Sequence, residues 1–540
     1  MARFIFIAGG VMSGIGKGVS TAAIATILKN CGYRVSCIKI DPYLNVDAGT
    51  MNPVEHGEVF VTDDGLECDQ DIGNYERFLD ENMYRHNYMT SGQVYQEVIN
   101  RERALGYGGR CVETVPHIPE EVIGRIELAA QKSKADFMMV EIGGTIGEYQ
   151  NLIFFEASRM MRLRHPDKVI FIVVSYLPVP HMIGEMKTKP TQHAVRALNS
   201  AGIQPDMIIA RSVVPLDQPR KRKIAAFCNI KDEDIISAPD VKSIYEIPLN
   251  FEKGKLSERI LAKFGLPKKK RLLADWSKLS RKIKQTRKEI KIGIVGKYFS
   301  TGRFTLTDSY ISVIEAIKHA SWHNNLKPVI HWLDAEEYER NPKKLSELDK
   351  MSGLIVPGGF GNRGVEGKIK TIGVARRKKI PFLGLCYGMQ LATIEFARSR
   401  AKLRHASSTE IDPKTPCPII STLAEQEKNL NDAKFGATMR LGAYPCEIRP
   451  ETISARAYGE KNIVERHRHR YEFNNDFREK LESLGLVVAG VNPQRNLVEI
   501  IEIKDHPFFV GVQFHPELKS RPFGPHPLFN EFIKAARKRG

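Results

Sequence analysis

The sequence predicts an α/β protein of two doubly wound domains, each on a mostly parallel sheet. Three observations carry this. At 540 residues the chain exceeds the ~250–300 residues at which a single core stops growing. Short apolar runs that enter glycine turns and then helical stretches occur at the N-terminus and again after position 290, the texture of parallel strands with helical crossovers. Between the two series lies PKKKRLLADWSKLSRKIKQTRKEI, Pro267 to Ile290, a surface helix or tether dense in charge. The expected division is a domain over 1–266, a charged linker over 267–290 and a domain over 291–540.

In the first series RFIFIAG is a strand, and VSTAAIATILKNCGY is a helix in which Ala22, Ala25, Ile27 and Leu28 can share a face. Gly32 suits its C-terminal cap. RVSCIKID is the next strand, ending at Asp41, and ADFMMVEIGG and KVIFIVVSYLP are further buried strands. This βαβ unit places the glycine loop IAGGVMSGIGKGVS at the carboxyl end of its first strand, where α/β sheets bind ligands. The loop approaches the phosphate-binding spelling G-x-x-x-x-G-K-[ST]. Gly16-Lys17 supplies the GK pair, but Val11 stands where the first glycine belongs and Gly18 follows the lysine.

Composition narrows the class. The chain is 42% hydrophobic and 27% charged, as in ordinary folded enzymes. No apolar run approaches the ~20 residues of a membrane helix, and MARFIFIAGG runs into a glycine turn as a strand does, not as a signal peptide. The eight cysteines have no C-x-x-C spacing, so reduced thiols in a cytoplasmic protein are expected. The net charge of +18 suits either nucleic acid or polyphosphate nucleotides. It is partly a property of the 267–290 segment, and aromatics are not interleaved with it.

The second series, KIGIVGKY, GLIVPGG, IPFLGLCYG and FFVGVQFHPE, holds the sharper chemistry. GLCYG places Cys386 at a nucleophile elbow, with Gly384 and Gly388 permitting the tight turn. A thiol at a helix N-terminus is favoured as thiolate. GVQFHPE offers His515 as the base and Glu517 to hold its tautomer. Backbone N–H groups around Gly358 and Gly359 are candidate oxyanion donors, each typically contributing ~3–4 kcal/mol. A lone cysteine at a strand end is commonly a small core residue, and PGG is commonly a turn. The three together, in this order on strand ends, point to thiol acyl transfer.

PGGFG, GLCYGMQ and FHPE resemble the class I glutamine amidotransferases. The resemblance implies glutamine hydrolysis by Cys386, His515 and Glu517. It places glutamine at Gly359, Tyr387, Gly388, Met389, Gln390, Glu410 and Arg470, with Arg470 meeting its α-carboxylate and Glu410 its α-ammonium group. GGVMSGIGKG, KIDPYLNVDAGTMNPVEHGEVFVTDDG, DQDIGNYERF, EIGGTIGE, KTKPTQHAV and RKIAAFCNI extend the likeness. Across the whole chain it resembles the CTP synthases, which phosphorylate O4 of UTP with ATP and displace the phosphate with ammonia.

That resemblance implies ATP at Ser13, Gly14, Ile15, Gly16, Lys17, Gly18, Lys39, Asp71, Asp240 and Val241. It implies Mg²⁺ at Asp71 and Glu141, which suits a cation taking carboxylate and phosphate oxygens. UTP, or the product CTP, is expected at Ser13, Glu148, Tyr149, Gln150, Lys187, Thr188, Lys189, Pro190, Thr191, Gln192 and Lys223. It also implies GTP as allosteric activator, with Thr438 and Arg440 of KFGATMRLGAY as candidates in its lid segment, and a homotetramer, in a family of which some members form filaments. Taken alone, Asp71 is better read as a turn or cap acid, and Lys223 as part of a solvated basic face.

The chain departs from the family pattern. Glu148-Tyr149-Gln150 stands where many relatives have Asp-Ile-Glu, which puts product inhibition in question. Gly108 and Glu113 replace a leucine beside the expected ammonia path and a glutamine near the UTP pocket, and Ser407 alters the stretch before Glu410. Two other readings are an amidoligase with a different acceptor, as in cobyrinic-acid-type enzymes, and a basic P-loop ATPase that binds nucleic acid. The KTKPTQ and EIGGTIGE strings oppose the first, and the intact Cys386, His515 and Glu517 oppose the second.

Overall fold

The computed structural model describes residues 2–182, 184–269, 273–296, 300–301, 304–305, 307–422 and 438–539. They form two compact units, 1–47 with 74–281, and 48–73 with 282–540.

The first unit is built on a seven-stranded sheet in the order Tyr88–Thr90, Val35–Asp41, Phe137–Ile142, Arg3–Gly10, Val169–Tyr176, Met207–Ser212 and Ile235–Pro239. Every pairing in it is parallel. Its strands are buried on both faces, so they appear in sequence as continuous apolar runs and not as alternation. Phe4, Phe6, Ile38, Val140 and Phe171 lie in one core with the covering helices. Helix Lys17–Asn30 is buried from Ser20 through Leu28, deeper than one apolar face requires. It ends in a Schellman motif: Gly32 adopts φ 84°, its N–H donates to Lys29 O, and Tyr33 N–H donates to Leu28 O.

The segment expected as a linker contains helix Ala274–Gln285. Its Trp276 is buried and stacks on Phe78 at 5.2 Å, so this helix is docked on the first unit.

The second unit carries a nine-stranded sheet. Lys327–Asp334, Glu289–Gly296, Gly353–Val356, Phe382–Leu385 and Phe509–Val512 pair in parallel. Val498–Ile503, Leu486–Val491, Arg440–Ile448 and Asn462–His469 continue it antiparallel. This unit also includes the hairpin Val59–Val61 and Glu67–Asp69, which the sequence places in a continuous first domain. Charge complementarity explains the difference: Asp63 pairs with Arg466, and Glu67 pairs with Arg468 at 2.7 Å.

Candidate active site

In the second unit, strand Phe382–Leu385 leads directly into Cys386, which caps helix Tyr387–Ser399 with φ 48° and ψ −99°. Both flanking glycines are required by contact. A Cβ on Gly384 would lie 2.8 Å from the Gly388 carbonyl carbon, and one on Gly388 would lie 2.1 Å from Val356 O. The backbone N–H of Cys386 donates to Val512 O at 2.7 Å, which ties the elbow to the strand that precedes His515.

His515 Nδ1 lies 2.8 Å from Glu517 Oε1. A carboxylate there fixes the Nδ1–H tautomer and leaves Nε2 for the sulfur. Burial alone would depress the imidazolium, but Glu517 and Cys386 outweigh it and push the His515 pKa up to about 10. Gly358 sits against this pair, since a Cβ there would be 3.0 Å from His515 Cε1 and 3.9 Å from Cys386 Cβ.

Two cavities meet at Cys386. One is lined by Gly359, Gln390, Glu410 and Arg470 together with Phe360 and Tyr471. Four of the residues expected to hold glutamine are thus brought together beside the sulfur. Glu410 also accepts the Gly361 N–H at 2.7 Å, so it shapes the PGGFG loop. Tyr387 donates to Gly361 O at 2.9 Å. The Met389 side chain packs against Gly511 in the core, and Tyr387, Gly388 and Met389 lie outside this lining. The other cavity is lined by Glu58, Val59, Arg468, His515 and Glu517.

Strand Asn462–His469 shows why RHRHRYEF alternates arginine and histidine. Successive side chains of a strand point to opposite faces. Arg466 and Arg468 meet the hairpin carboxylates, while His467 and His469 are buried on the other side. His469 Nδ1 faces Tyr471 O at 3.2 Å. A carbonyl only accepts, so Nδ1 carries the proton and Nε2 accepts from His467 Nδ1 at 2.9 Å. Both rings are held neutral: burial, then Arg440, keeps their pKa values well below the ordinary range.

Arg440, a candidate in the lid segment, is 5% exposed. It donates to Glu499 at 2.6 Å and pairs with Glu472 at 3.4 Å. Its guanidinium compensates buried carboxylates and is not available to a lid. Residues 434–437 of that lid segment lie outside the described residues.

In the first unit, the glycine loop joins strand Arg3–Gly10 to helix Lys17–Asn30, with Gly14 at φ 71° and Gly16 at φ 82°. Val11, the residue that breaks the phosphate-loop spelling, adopts φ 86°. The backbone keeps a conformation that favours glycine although the side chain is valine. Lys17 Nζ donates to Gly144 O at 2.7 Å. Arg211, whose guanidinium lies beside Gly16, donates to Asp240 at 2.8 Å, so Asp240 and the loop flank one arginine.

Glu141 is fully buried. It accepts from Lys39 at 3.1 Å and from the Tyr75 hydroxyl. Lys39 also lies 3.7 Å from Asp41. Asp71 is the second residue of helix Gln70–Leu79, and its backbone N–H donates to Asp69 Oδ1 at 2.7 Å.

Of the expected UTP residues, Thr188 caps helix Lys189–Ser200 and accepts from Gln192 Nε2 at 3.1 Å. Thr191 accepts from Ser175 at 2.8 Å. Lys187 pairs with Glu185 at 2.6 Å, and Lys189 lies over the Phe227 ring. Lys223 is exposed on helix Gln218–Cys228. Tyr149 is 92% exposed, and Gln150 Nε2 donates to Glu148 Oε2 at 3.0 Å.

Two family models match the chain in succession. A family model described as the CTP synthase N-terminus matches residues 3–266, and one described as glutamine amidotransferase class-I matches 305–535. A CTP synthase of Carboxydothermus hydrogenoformans is 49% identical over 100% of this chain and 99% of its own length. One of Thermococcus gammatolerans is also 49% identical, over 100% of this chain and 99% of its own. The solved glutaminase domain of Trypanosoma brucei CTPS with bound acivicin is 36% identical, covering 46% of this chain and 94% of that one, with a TM-score of 0.42. With end-to-end identity near one half and both family models in order, the chain belongs to the CTP synthase family.

Proposed function

We propose that the chain catalyses the ATP-dependent amination of UTP to CTP with ammonia drawn from glutamine. The observation that carries this reading is the Cys386, His515 and Glu517 arrangement beside a cavity lined by Glu410 and Arg470, in one chain with the glycine loop at Lys17.

In the glutaminase half, the Cys386 sulfur attacks the side-chain carbonyl of glutamine. The expelled nitrogen takes a proton from His515 and leaves as ammonia, and a thioester forms. Water then attacks the thioester carbonyl with His515 as base, releasing glutamate and the thiol. Glu517 keeps His515 oriented through both steps. Arg470 and Glu410 provide the charges that match the α-carboxylate and α-ammonium groups of glutamine.

In the synthetase half, ATP and UTP are the nucleotide substrates. The γ-phosphoryl group passes to O4 of the uracil ring, and ammonia then displaces phosphate at C4. Phosphoryl transfer requires positioning and charge neutralisation above all, which Lys17, the loop N–H groups and Lys39 supply. Lys187, Lys189 and Lys223 are assigned to the UTP triphosphate, and Gln192 to a neutral polar group.

Asp71 and Glu141 are assigned to Mg²⁺, whose chemistry is to neutralise the phosphate oxygens. A hard cation takes carboxylate oxygen, and the buried Glu141 carboxylate is balanced by a cation, Lys39. GTP activation, a homotetramer and a cytoplasmic location follow from the same resemblance. No helix among the described residues is long and apolar enough to cross a membrane.

The test is to incubate the chain with UTP, ATP, Mg²⁺ and glutamine, with and without GTP, and follow CTP. Cys386→Ala should abolish the glutamine-dependent reaction and leave the ammonia-dependent one. Persistence of both would refute the glutaminase assignment.

A further inference from the structure

The side chain of Gln513 belongs to none of the roles assigned so far, yet it is fully buried and donates through Nε2 to Cys386 Sγ at 3.6 Å. It stands in GVQFHPE, two residues before His515. The orientation of its carboxamide follows from the partners around it. Gln390 directs Nε2 at Tyr471 O, 2.9 Å away, and a backbone carbonyl can only accept. That places the Gln390 amino group on this side, from which it also donates to Gln513 Oε1 at 3.4 Å. Gln513 must therefore present oxygen to Gln390 and its own N–H groups to the sulfur. Tyr471 O is fixed in turn by the second donor it accepts, His469 Nδ1. Donors from His469 and Gln390 converge on Tyr471 O, and from Gln390 the donor direction runs through Gln513 to Cys386.

We infer that Gln513 is a further catalytic residue of the glutaminase, a neutral donor held on the Cys386 sulfur by Gln390 and stabilising its thiolate form.

The inference rests on the thiol-glutaminase reading. A hydrogen bond to the charged form of a group favours that form, and a neutral amide does so without adding a charge that glutamine would have to displace. The titratable and charged groups that line the cavities with Cys386 are Glu58, Tyr310, Arg468, His515 and Glu517 in one and Glu410, the neutral His469, Arg470 and Tyr471 in the other. Arg468 reaches the sulfur through its backbone carbonyl, 3.8 Å away, which accepts from a thiol but offers a thiolate nothing. Gln513 offers the sulfur an uncharged donor, its Nε2 at 3.6 Å. Its second contact also makes the sulfur sensitive to Gln390, which lines the glutamine cavity.

Gln513→Glu is close in shape and keeps an oxygen for Gln390, but replaces the donor on the sulfur by an acceptor. Gln513→Met removes the donor without adding charge. Both are compared with the parent chain at full length by three measurements: ammonia-dependent CTP formation, glutaminase kcat and KM, and the pH dependence of Cys386 alkylation by iodoacetamide. The expected result is retained ammonia-dependent synthesis and a KM within about threefold, with kcat reduced about 10²-fold. The pH of half-maximal alkylation should rise by about one unit in Gln513→Glu and by less in Gln513→Met. If Gln513→Glu also loses the ammonia reaction, Gln513→Met decides. An unchanged alkylation profile overturns the inference, as does a raised KM with unchanged kcat, which would make the amide a substrate contact. If the parent chain released no glutamate from glutamine, the glutaminase reading would fail, while the alkylation profile would still report on the Gln513–Cys386 contact.

Discussion

His515 Nδ1 and Glu517 Oε1 lie 2.8 Å apart, and Glu517 is the chief reason that the imidazolium persists despite burial. Glu517→Gln keeps the shape and removes the charge. His515 should then titrate below its present value of about 10, because the carboxylate that chiefly opposes burial is gone. Glutamine-dependent CTP formation should fall by about 10²-fold or more, and ammonia-dependent formation should stay. The raised pKa stabilises the fold below pH 6.5, and that contribution is lost as pH rises through about 10. Glu517→Gln should therefore reduce the loss of stability on the alkaline side. Histidine NMR titration and the pH profile of the glutaminase check both points.

Gly388→Ala tests the elbow. The added Cβ would sit 2.1 Å from Val356 O, and both partners are backbone, so the turn must move. A displacement of about 1 Å at a nucleophile can cost about 10²-fold in rate. Glutaminase activity should drop at least that far while ammonia-dependent synthesis continues. A variant with parental kcat would show that the elbow tolerates the shift.

The elbow is also what the sequence displays most openly. G-x-C-x-G after an apolar run states its geometry locally, and Gly384 and Gly388 are there because no side chain fits. Other parts of the site are not local. Asp63 and Arg466 are 403 positions apart, and nothing in VTDDGLECD says which cations its carboxylates will meet, so the transfer of 48–73 to the second unit was not legible. Arg440 was assigned to the lid by the likeness of its segment, and the partners that bury and pair it, Glu472 and Glu499, lie 32 and 59 positions further on. Gln513 had a signal in its place two residues before His515 in GVQFHPE, although the strand ends at Val512 and the chain bends between them.

Val11→Gly tests the glycine loop. A β-branched residue at φ 86° costs about 1–2 kcal/mol, against about 0.5–1 kcal/mol of added unfolded-state entropy for glycine. The variant should be equally or slightly more stable, by up to about 1 kcal/mol, and should keep CTP formation with either nitrogen source. Lys17→Ala should lose both. Denaturant unfolding and the two assays check this, and a destabilised Val11→Gly would show that the valine side chain is packed for stability.

Gln150→Glu tests product inhibition. Gln150 Nε2 now donates to Glu148 Oε2 at 3.0 Å. A second carboxylate there would repel the first and release both from this bond, restoring the acid that many relatives carry. CTP inhibition should strengthen, read as a lower inhibitory CTP concentration against UTP at fixed ATP. No change would remove Gln150 as the determinant.

The buried charges behind the catalytic strand predict a pH-dependent stability of the second unit. Burial, only partly offset by Arg440, pushes Glu472 up to about 8 from 4.5. Between those values the folded chain holds a proton that the unfolded chain has lost. Stability must then fall as pH rises from about 4.5 to about 8. Glu472→Gln cannot ionise and should flatten that decline, whereas Arg440→Met should steepen it and cost about 3–5 kcal/mol, because it leaves buried carboxylates without their cation. Unfolding is best followed by fluorescence in a Trp276→Phe background. Trp322 and Trp332 then report on the second unit alone. An unaltered slope in Glu472→Gln would place the shared proton on Glu499, whose carboxyl is raised by the same burial.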